Sequence, residues 1–314
     1  FYSGAKKLID QLDGNVEVIC GISSVVYFMS KIGLSWDDAK IVSAHGRNCN
    51  LISLIRHNPK VFSILGTEDG VAVLASRLVY YGMGDVTLYV GENLSYENEK
   101  IFHDKAANLT EYRGDALSVV TACNEKATPM SAVHGISDGE FLRGKAPMTK
   151  EEVRTVSLSK LRLSEDSVSV EMALRAWMGQ VYAIEKKEDA LALLKENKKK
   201  FAVDNLAIIP GVAPEAMTEL PAPTHAFIGG SSGNMQDIIN LLLEKNPKVR
   251  IVINCITLET VTEAMNAIRD FGLEDVDIVQ LAAARSKSIG RYHMMMGENP
   301  IYIISCSGRG EEIR

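Results

Sequence analysis

The run QVYAIEKKEDALALLKENKKKFAVDNLAIIPG, residues 180–211, decides the architecture of this chain. It opens on a short apolar strand that ends in Glu185, and continues as the helix KEDALALLKENKKKF (187–201). It closes on a second strand, LAIIPG (206–211), that ends in Gly211. Strand, helix and strand in this order predict a parallel pair joined by a helical crossover. The lysines at the end of the helix complement its dipole and carry no functional weight.

The same alternation extends in both directions. Downstream lie strand HAFIGG (225–230), helix MQDIINLLLEK (235–245), strand VRIVINCIT (249–257) and helix ETVTEAMNAIRDFG (259–272). The closing strands VDIVQLA (276–282) and PIYIIS (300–305) have no helix between them and predict an antiparallel hairpin at one sheet edge. Upstream, EEVRTVSLSKL (151–161) and SVEMALRAW (169–177) read as helices. Residues 141–314 therefore read as a mostly parallel sheet with helices on both faces. Residues 1–125 are also α/β. Strands are expected at VEVICGISS (16–24), VFSILGT (61–67), DVTLYVGENLS (85–95) and LSVVTAC (117–123), with a helix at GVAVLASRLVYYGMG (70–84). Residues 126–140 lie in a stretch rich in turn formers without sustained periodicity, and read as the linker between two domains. Two domains also suit a chain of 314 residues.

Composition narrows the function classes. The chain is 46% hydrophobic and 24% charged, as an ordinary globular protein is. No apolar run reaches the roughly 20 residues that a membrane span requires. The start, FYSGAKKLID, is neither a signal peptide nor a natural initiation site. The five cysteines stand singly, which argues against a disulfide framework or zinc site and suits core thiols in a reducing cytoplasm. The six histidines are equally dispersed, so no metal site is expected. A net charge of −6 counts against a nucleic-acid partner. Within this acidic balance, residues 143–162 carry six basic side chains against two acidic ones. Arg285, Lys287 and Arg291 form a second basic cluster. Each cluster reads either as a solvated face or as a docking surface for a small polyanion.

In open α/β sheets, ligands bind beyond the carboxyl ends of the strands. Three such ends point to a nucleoside. Glu185 offers a carboxylate to the two hydroxyls of a ribose. Gly211 leaves room for a flat adenine against the backbone. The turn Gly229, Gly230, Ser231, Ser232 and Gly233 leads into a helix N-terminus. The glycine-rich turn that ordinarily precedes the acidic residue by about 20 positions is absent. Its window holds SEDSVSVEMALRAW (164–177), without glycine or room for a strand. A strand and glycine turn of roughly ten residues are therefore expected between about Asp166 and Ser169, beyond the sequence given.

Residues 143–163 (RGKAPMTKEEVRTVSLSKLRL), with SVSVEMAL (167–174), APEAM (213–217), THAFIGGSSGN (224–234), INCITLETV (253–261) and ARSK (284–287), resemble a known family. It is the decarboxylating, carbon-15-methylating family of corrin biosynthesis, with a Rossmann-like S-adenosylmethionine-dependent methyltransferase domain. FYSG (1–4), VEVICGISSV (16–25), SAHGR (43–47) and YVGENLSYENEKI (89–101) resemble the tetrapyrrole methylase family that methylates carbon 5. In this order, the halves resemble the fused precorrin-6Y C(5),C(15)-methyltransferases. The tetrapyrrole methylase half is incomplete, since the N-terminal lobe expected ahead of FYSG is not in the sequence. Cys20 also stands where that family usually has proline.

The resemblance implies S-adenosylmethionine as cofactor. Thr149, Glu185 and Gly211 match its contacts, and Gly230 and Ser231 line the same cleft. In the first domain Gly21, Ile22, Ser23 and Ser24 match a second cofactor segment. The implied substrate is a precorrin tetrapyrrole, with or without cobalt, and the implied assembly is a homo-oligomer. Methyl transfer to an electron-rich macrocycle rests on positioning, and the macrocycle itself can accept the electrons released by decarboxylation. The peripheral carboxylates need cations, for which Arg143, Arg154 and Arg285 are the candidates. His45 is a candidate proton-transfer residue or a structural histidine. Three other readings stay open: a methyltransferase for another small molecule or RNA, a non-catalytic nucleoside-binding scaffold, and a nicotinamide oxidoreductase.

Overall fold

A computed structural model of the chain describes residues 9–12, 16–17, 21–44, 49–129, 135–144, 148–162, 169–176, 178–230 and 233–309. The chain divides into two compact units. One comprises Phe1–Arg47 and Leu51–Met130, the other Asn48–Asn50 and Ser131–Arg314.

The first unit holds α1 (Ser24–Lys31), β1 (Lys40–Ser43), α2 (Leu51–His57), β2 (Lys60–Ile64), α3 (Gly70–Tyr80), β3 (Thr87–Glu92), β4 (Lys100–Lys105) and β5 (Ser118–Cys123). Its sheet runs β1-β2-β5-β3-β4, with β1 and β2 parallel and every other neighbour antiparallel. In α3 the residues Val71, Leu74, Ala75 and Leu78 recur at helical spacing and are buried. Phe28 and Met29 of α1, Phe62 of β2 and Val119 of β5 form another part of the core. The strands expected at VFSILGT, DVTLYVGENLS and LSVVTAC are β2, β3 and β5. Of the strand expected at 16–24, Val18, Ile19 and Cys20 lie outside the described residues. Ser24 opens α1 instead of closing a strand. The strand β4 has no clear sequence signal, because KIFHDK is an edge strand with largely wet side chains and no clean alternation.

The second unit holds α4 (Glu151–Leu161), α5 (Ser169–Arg175), β6 (Val181–Glu185), α6 (Glu188–Phe201), β7 (Leu206–Pro210), β8 (His225–Ile228), α7 (Met235–Lys245), β9 (Arg250–Cys255), α8 (Leu258–Asp270), β10 (Glu274–Leu281), β11 (Ala284–Ile289), β12 (Tyr292–Gly297) and β13 (Ile301–Ser307). β9 is buried along its whole length, as a strand covered on both faces must be. Ile251 and Ile253 of β9 pack with Ile239 and Leu242 of α7 and Ala264 and Ala267 of α8. Val252, one residue out of phase, packs with Leu158 and Leu161 of α4 and Ile303 of β13. The period-two alternation of a strand thus places α4 on one face and α7 with α8 on the other.

Two features differ from the expected single sheet. Among the described residues the strands form a four-stranded sheet, β10-β13-β9-β8, and a separate parallel pair, β6-β7. β8 and β9 are parallel, while β13 runs antiparallel to both β9 and β10. The closing strands do pair antiparallel with β10 at the edge, but the 19 residues between Leu281 and Ile301 are not a plain loop. They contain the β11–β12 hairpin, in which Ile289 faces Tyr292 across a two-residue turn. Gly290 has φ +61° at the first turn position, the geometry a tight hairpin needs and a β-branched residue resists.

Candidate functional site

A cavity of about 660 Å³ lies within the second unit. Its walls come from Phe141–Gly144 and Met148–Lys150, from Arg154, Ser157 and Leu158 of α4, and from Val170, Glu171 and Met172 of α5. Ala183, Ile184 and Glu185 of β6, four residues of α6, and Phe227 of β8 complete them. Most of this lining is apolar, with a few polar groups among it, as small-molecule sites have.

Glu185 stands at the carboxyl end of β6, and its Oε1 accepts hydrogen bonds from the backbone amides of Lys186 and Lys187 at 2.8 and 2.9 Å. These amides lead into α6, so the carboxylate also meets the positive end of that helix. The bonds fix the rotamer and leave Oε2 as an acceptor. Gly211 is tied to the same place, since its amide donates to the Glu185 carbonyl at 3.0 Å. Its φ of +151° and the approach of Ala216, 2.8 Å from where a Cβ would sit, allow no side chain. Gly211 is not among the cavity-lining residues. The Thr149 carbonyl, at the cavity wall, accepts from Arg154.

Arg154 does not present its charge to the cavity as an unpaired cation. Its guanidinium donates to Asp138 Oδ1 at 2.6 Å, Glu171 Oε1 at 2.8 Å and the carbonyls of Thr149 and Ile136. It also lies over the Phe141 ring, 4.7 Å from the centroid. Asp138 is bound from its other oxygen by Arg143, 2.6 Å away. Burial alone would raise the Asp138 carboxyl, but hydrogen bonds and charge from Arg154 and Arg143 outweigh it and hold the group below the ordinary carboxylate range. Arg143 lines the cavity and its side chain is 42% exposed. Arg285 is placed elsewhere, on β11, where it clamps Glu152 at 2.6 and 2.7 Å. The hydrogen bond from Arg285 lowers the Glu152 carboxyl.

Four of the residues singled out in the sequence therefore line one cavity: Arg143, Thr149, Arg154 and Glu185. Gly230 is exposed and outside its lining, and Ser231 and His45 lie outside the described residues. Ser23 and Ser24 belong to the first unit, where Ser23 caps α1 without a side-chain capping bond. Sequence reasoning missed Asp138 and Glu171. Glu171 had one signal, a lone acid inside the otherwise apolar run VEMAL. Among the described residues no cluster of histidine, cysteine or acid could hold a metal ion. Cys255 and Cys306 are core thiols, each pushed up to about 11 by burial. No described helix is long and apolar enough to cross a membrane.

A crossover α/β unit with a largely apolar cavity at its strand ends defines a Rossmann-like small-molecule domain. Residues 140–307 match the precorrin methyltransferase domain family, and the chain belongs to that family. A probable cobalt-precorrin-6B C(15)-methyltransferase (decarboxylating) of Pyrobaculum calidifontis is 41% identical over 188 residues, 55% of this chain and 96% of that protein. The cobalt-precorrin-6B C(15)-methyltransferase (decarboxylating) of Salmonella typhimurium is 35% identical over 192 residues, 57% of this chain and 99% of that protein. Among solved structures, the precorrin-6Y C5,15-methyltransferase of Geobacter metallireducens is 36% identical with a TM-score of 0.52. That match covers 56% of this chain and 98% of the other. The resemblance expected for the second half is thereby borne out.

Proposed function

We propose that this protein transfers methyl groups from S-adenosylmethionine to a precorrin or cobalt-precorrin, at carbon 15 with loss of carbon dioxide from a ring acetate, in cobalamin biosynthesis. The observation that carries the reading is Glu185, fixed at a strand end with one carboxylate oxygen left to accept, beside a cavity large enough for a nucleoside. The donor set fits the cofactor: an acceptor for ribose hydroxyls, apolar side chains around an adenine, and a second buried acid, Glu171, at the wall. Thr149 is proposed to contact the cofactor from the same wall. S-adenosylmethionine supplies an electrophilic methyl group. The chain's part is to bind, orient and desolvate, so no nucleophile or general base is required. Arg143, half-exposed at the cavity wall, is proposed to hold a peripheral carboxylate, and Arg285 to do so at the hairpin by releasing Glu152. Arg154 serves the substrate indirectly, by fixing Asp138 and Glu171.

The first unit is proposed to be the C-terminal part of a tetrapyrrole methylase acting at carbon 5, with Ser23 and Ser24 at its cofactor segment. The protein is proposed to act in the cytoplasm on a small molecule and not on nucleic acid. Incubation of the purified protein with S-adenosylmethionine and each precorrin-6 form, followed by mass spectrometry, tests the activity. One methyl gained and one carbon dioxide lost is the expected carbon-15 product. An unchanged substrate with both cobalt-free and cobalt-bearing forms defeats the proposal.

A further inference from the structure

Glu171 is 3% exposed, carried by the apolar run Val170–Leu174 of α5. Its Oε1 holds Arg154 Nε at 2.8 Å, whereas its Oε2 is buried without a hydrogen-bond partner. A buried carboxylate oxygen left unpaired is costly, and native proteins rarely keep one without a use. Arg154 gives Nε to this carboxylate and spends three of its other N–H groups on Asp138 and two backbone carbonyls, and none of its nitrogens bonds Oε2. Charge points the same way. Asp138, Glu171 and Arg154 are all nearly buried, two acids against one base, while Arg143 sits half in solvent. Arg143 pairs with Asp138 from the half-exposed side, so Glu171, which lines the cavity, has only Arg154 and shares it with Asp138.

We propose that Glu171 Oε2 anchors a protonated amine of the ligand, namely the α-ammonium of the amino-acid half of S-adenosylmethionine. This rests on the cofactor reading above. A carboxylate oxygen only accepts, so its partner must be a donor. The cofactor carries three kinds of donor: the ribose hydroxyls, the adenine amine and the α-ammonium. Glu185 suits the ribose hydroxyls. Of the remaining two, only the ammonium brings a positive charge to an acid that shares its one arginine, and charge-assisted bonds of this kind are the strong ones. Glu185 and Glu171 then divide the ligand between them, the first holding its sugar and the second its amino acid.

Calorimetric titration of the full chain with S-adenosylhomocysteine, and with the analogue whose α-amino group is replaced by hydrogen, separates this role from a structural one. The wild type is expected to prefer the amine-bearing ligand by roughly tenfold or more. Glu171→Gln, which keeps an acceptor for Arg154, is expected to abolish that preference while binding the des-amino analogue as the wild type does. Equal loss for both ligands overturns the proposal and leaves Glu171 a support for Arg154. If Glu171→Gln does not fold, the wild-type comparison decides alone, since equal affinities overturn the proposal. Wild type that binds neither ligand overturns the cofactor reading itself, and the anchor with it.

Discussion

Glu185 and Arg154 show how differently two charged residues at one cavity can act. Glu185 uses one oxygen for two backbone amides and keeps the other for a ligand. Removing it takes away a charged acceptor. Glu185→Ala is expected to weaken S-adenosylmethionine binding by about 1.5–3 kcal/mol, or roughly 10- to 150-fold, in calorimetry. Equal affinities would remove Glu185 from the site. Arg154 instead holds two acids and is itself only 14% exposed in its side chain. Arg154→Ala leaves Glu171 buried without its ion-pair partner and Asp138 with Arg143 alone, and is expected to destabilise the second unit by about 3–5 kcal/mol in chemical denaturation. A variant of native stability with an altered substrate KM would mean that Arg154 meets substrate directly. The same cluster sets an acid limit. Because Asp138 titrates lower in the folded protein than unfolded, its contribution is complete above the ordinary carboxylate value and fades as pH falls through the lower, folded one. Neutralising Asp138 with Asp138→Asn is expected to flatten the stability–pH profile below about pH 4.

At the scale of elements, the sheet of the second unit is interrupted where the cavity lies. Among the described residues, β6 pairs only with β7, and β8 only with β9. Residues of both β6 and β8 line the cavity. Residues 163–168, between α4 and α5, lie outside the described residues. We propose, from the sequence pattern alone, an additional strand and glycine turn between α4 and α5 in the encoded polypeptide. Intact-mass spectrometry of the gene product is expected to exceed the 34.4 kDa of the present sequence. An internal tryptic peptide joining the SEDSV and SVEMAL regions through glycines is the expected form of the insert. A directly continuous peptide at Asp166–Ser169 would exclude the insert.

At the scale of the molecule, the two units invite separation. The curated relatives match little more than half of this chain while being covered almost entirely themselves, so such a half exists elsewhere as a protein of its own. A fragment beginning near Ala132 is expected to retain decarboxylation and one methylation, read by counting methyl groups on the product. A folded fragment that leaves the acetate intact would contradict that division of labour. We propose, as the resemblance implies, a homo-oligomer, for which the exposed Ile289, Tyr292, Met294, Met295 and Met296 of the β11–β12 hairpin offer an apolar surface. Light scattering is expected to give a mass that is a multiple of the chain, and a monomeric mass at working concentration would refute it.

Much of the second unit was legible in the sequence because its signals are local. Helical spacing marked α4 and α7 to the residue, and apolar runs ending in Glu185 and Gly211 marked β6 and β7. The strand-end position of Glu185 was legible for the same reason. What the amino-acid order could not show was pairing between distant segments. Whether Arg154 met substrate or Asp138 and Glu171 depended on residues 16 and 17 positions away being brought beside it. Whether β13 formed a hairpin edge or lay between β9 and β10 depended on which apolar faces found each other. An unpaired oxygen on a buried acid, the basis for the ligand anchor, exists only once every neighbour has been placed, because satisfaction of a polar group is a property of its surroundings.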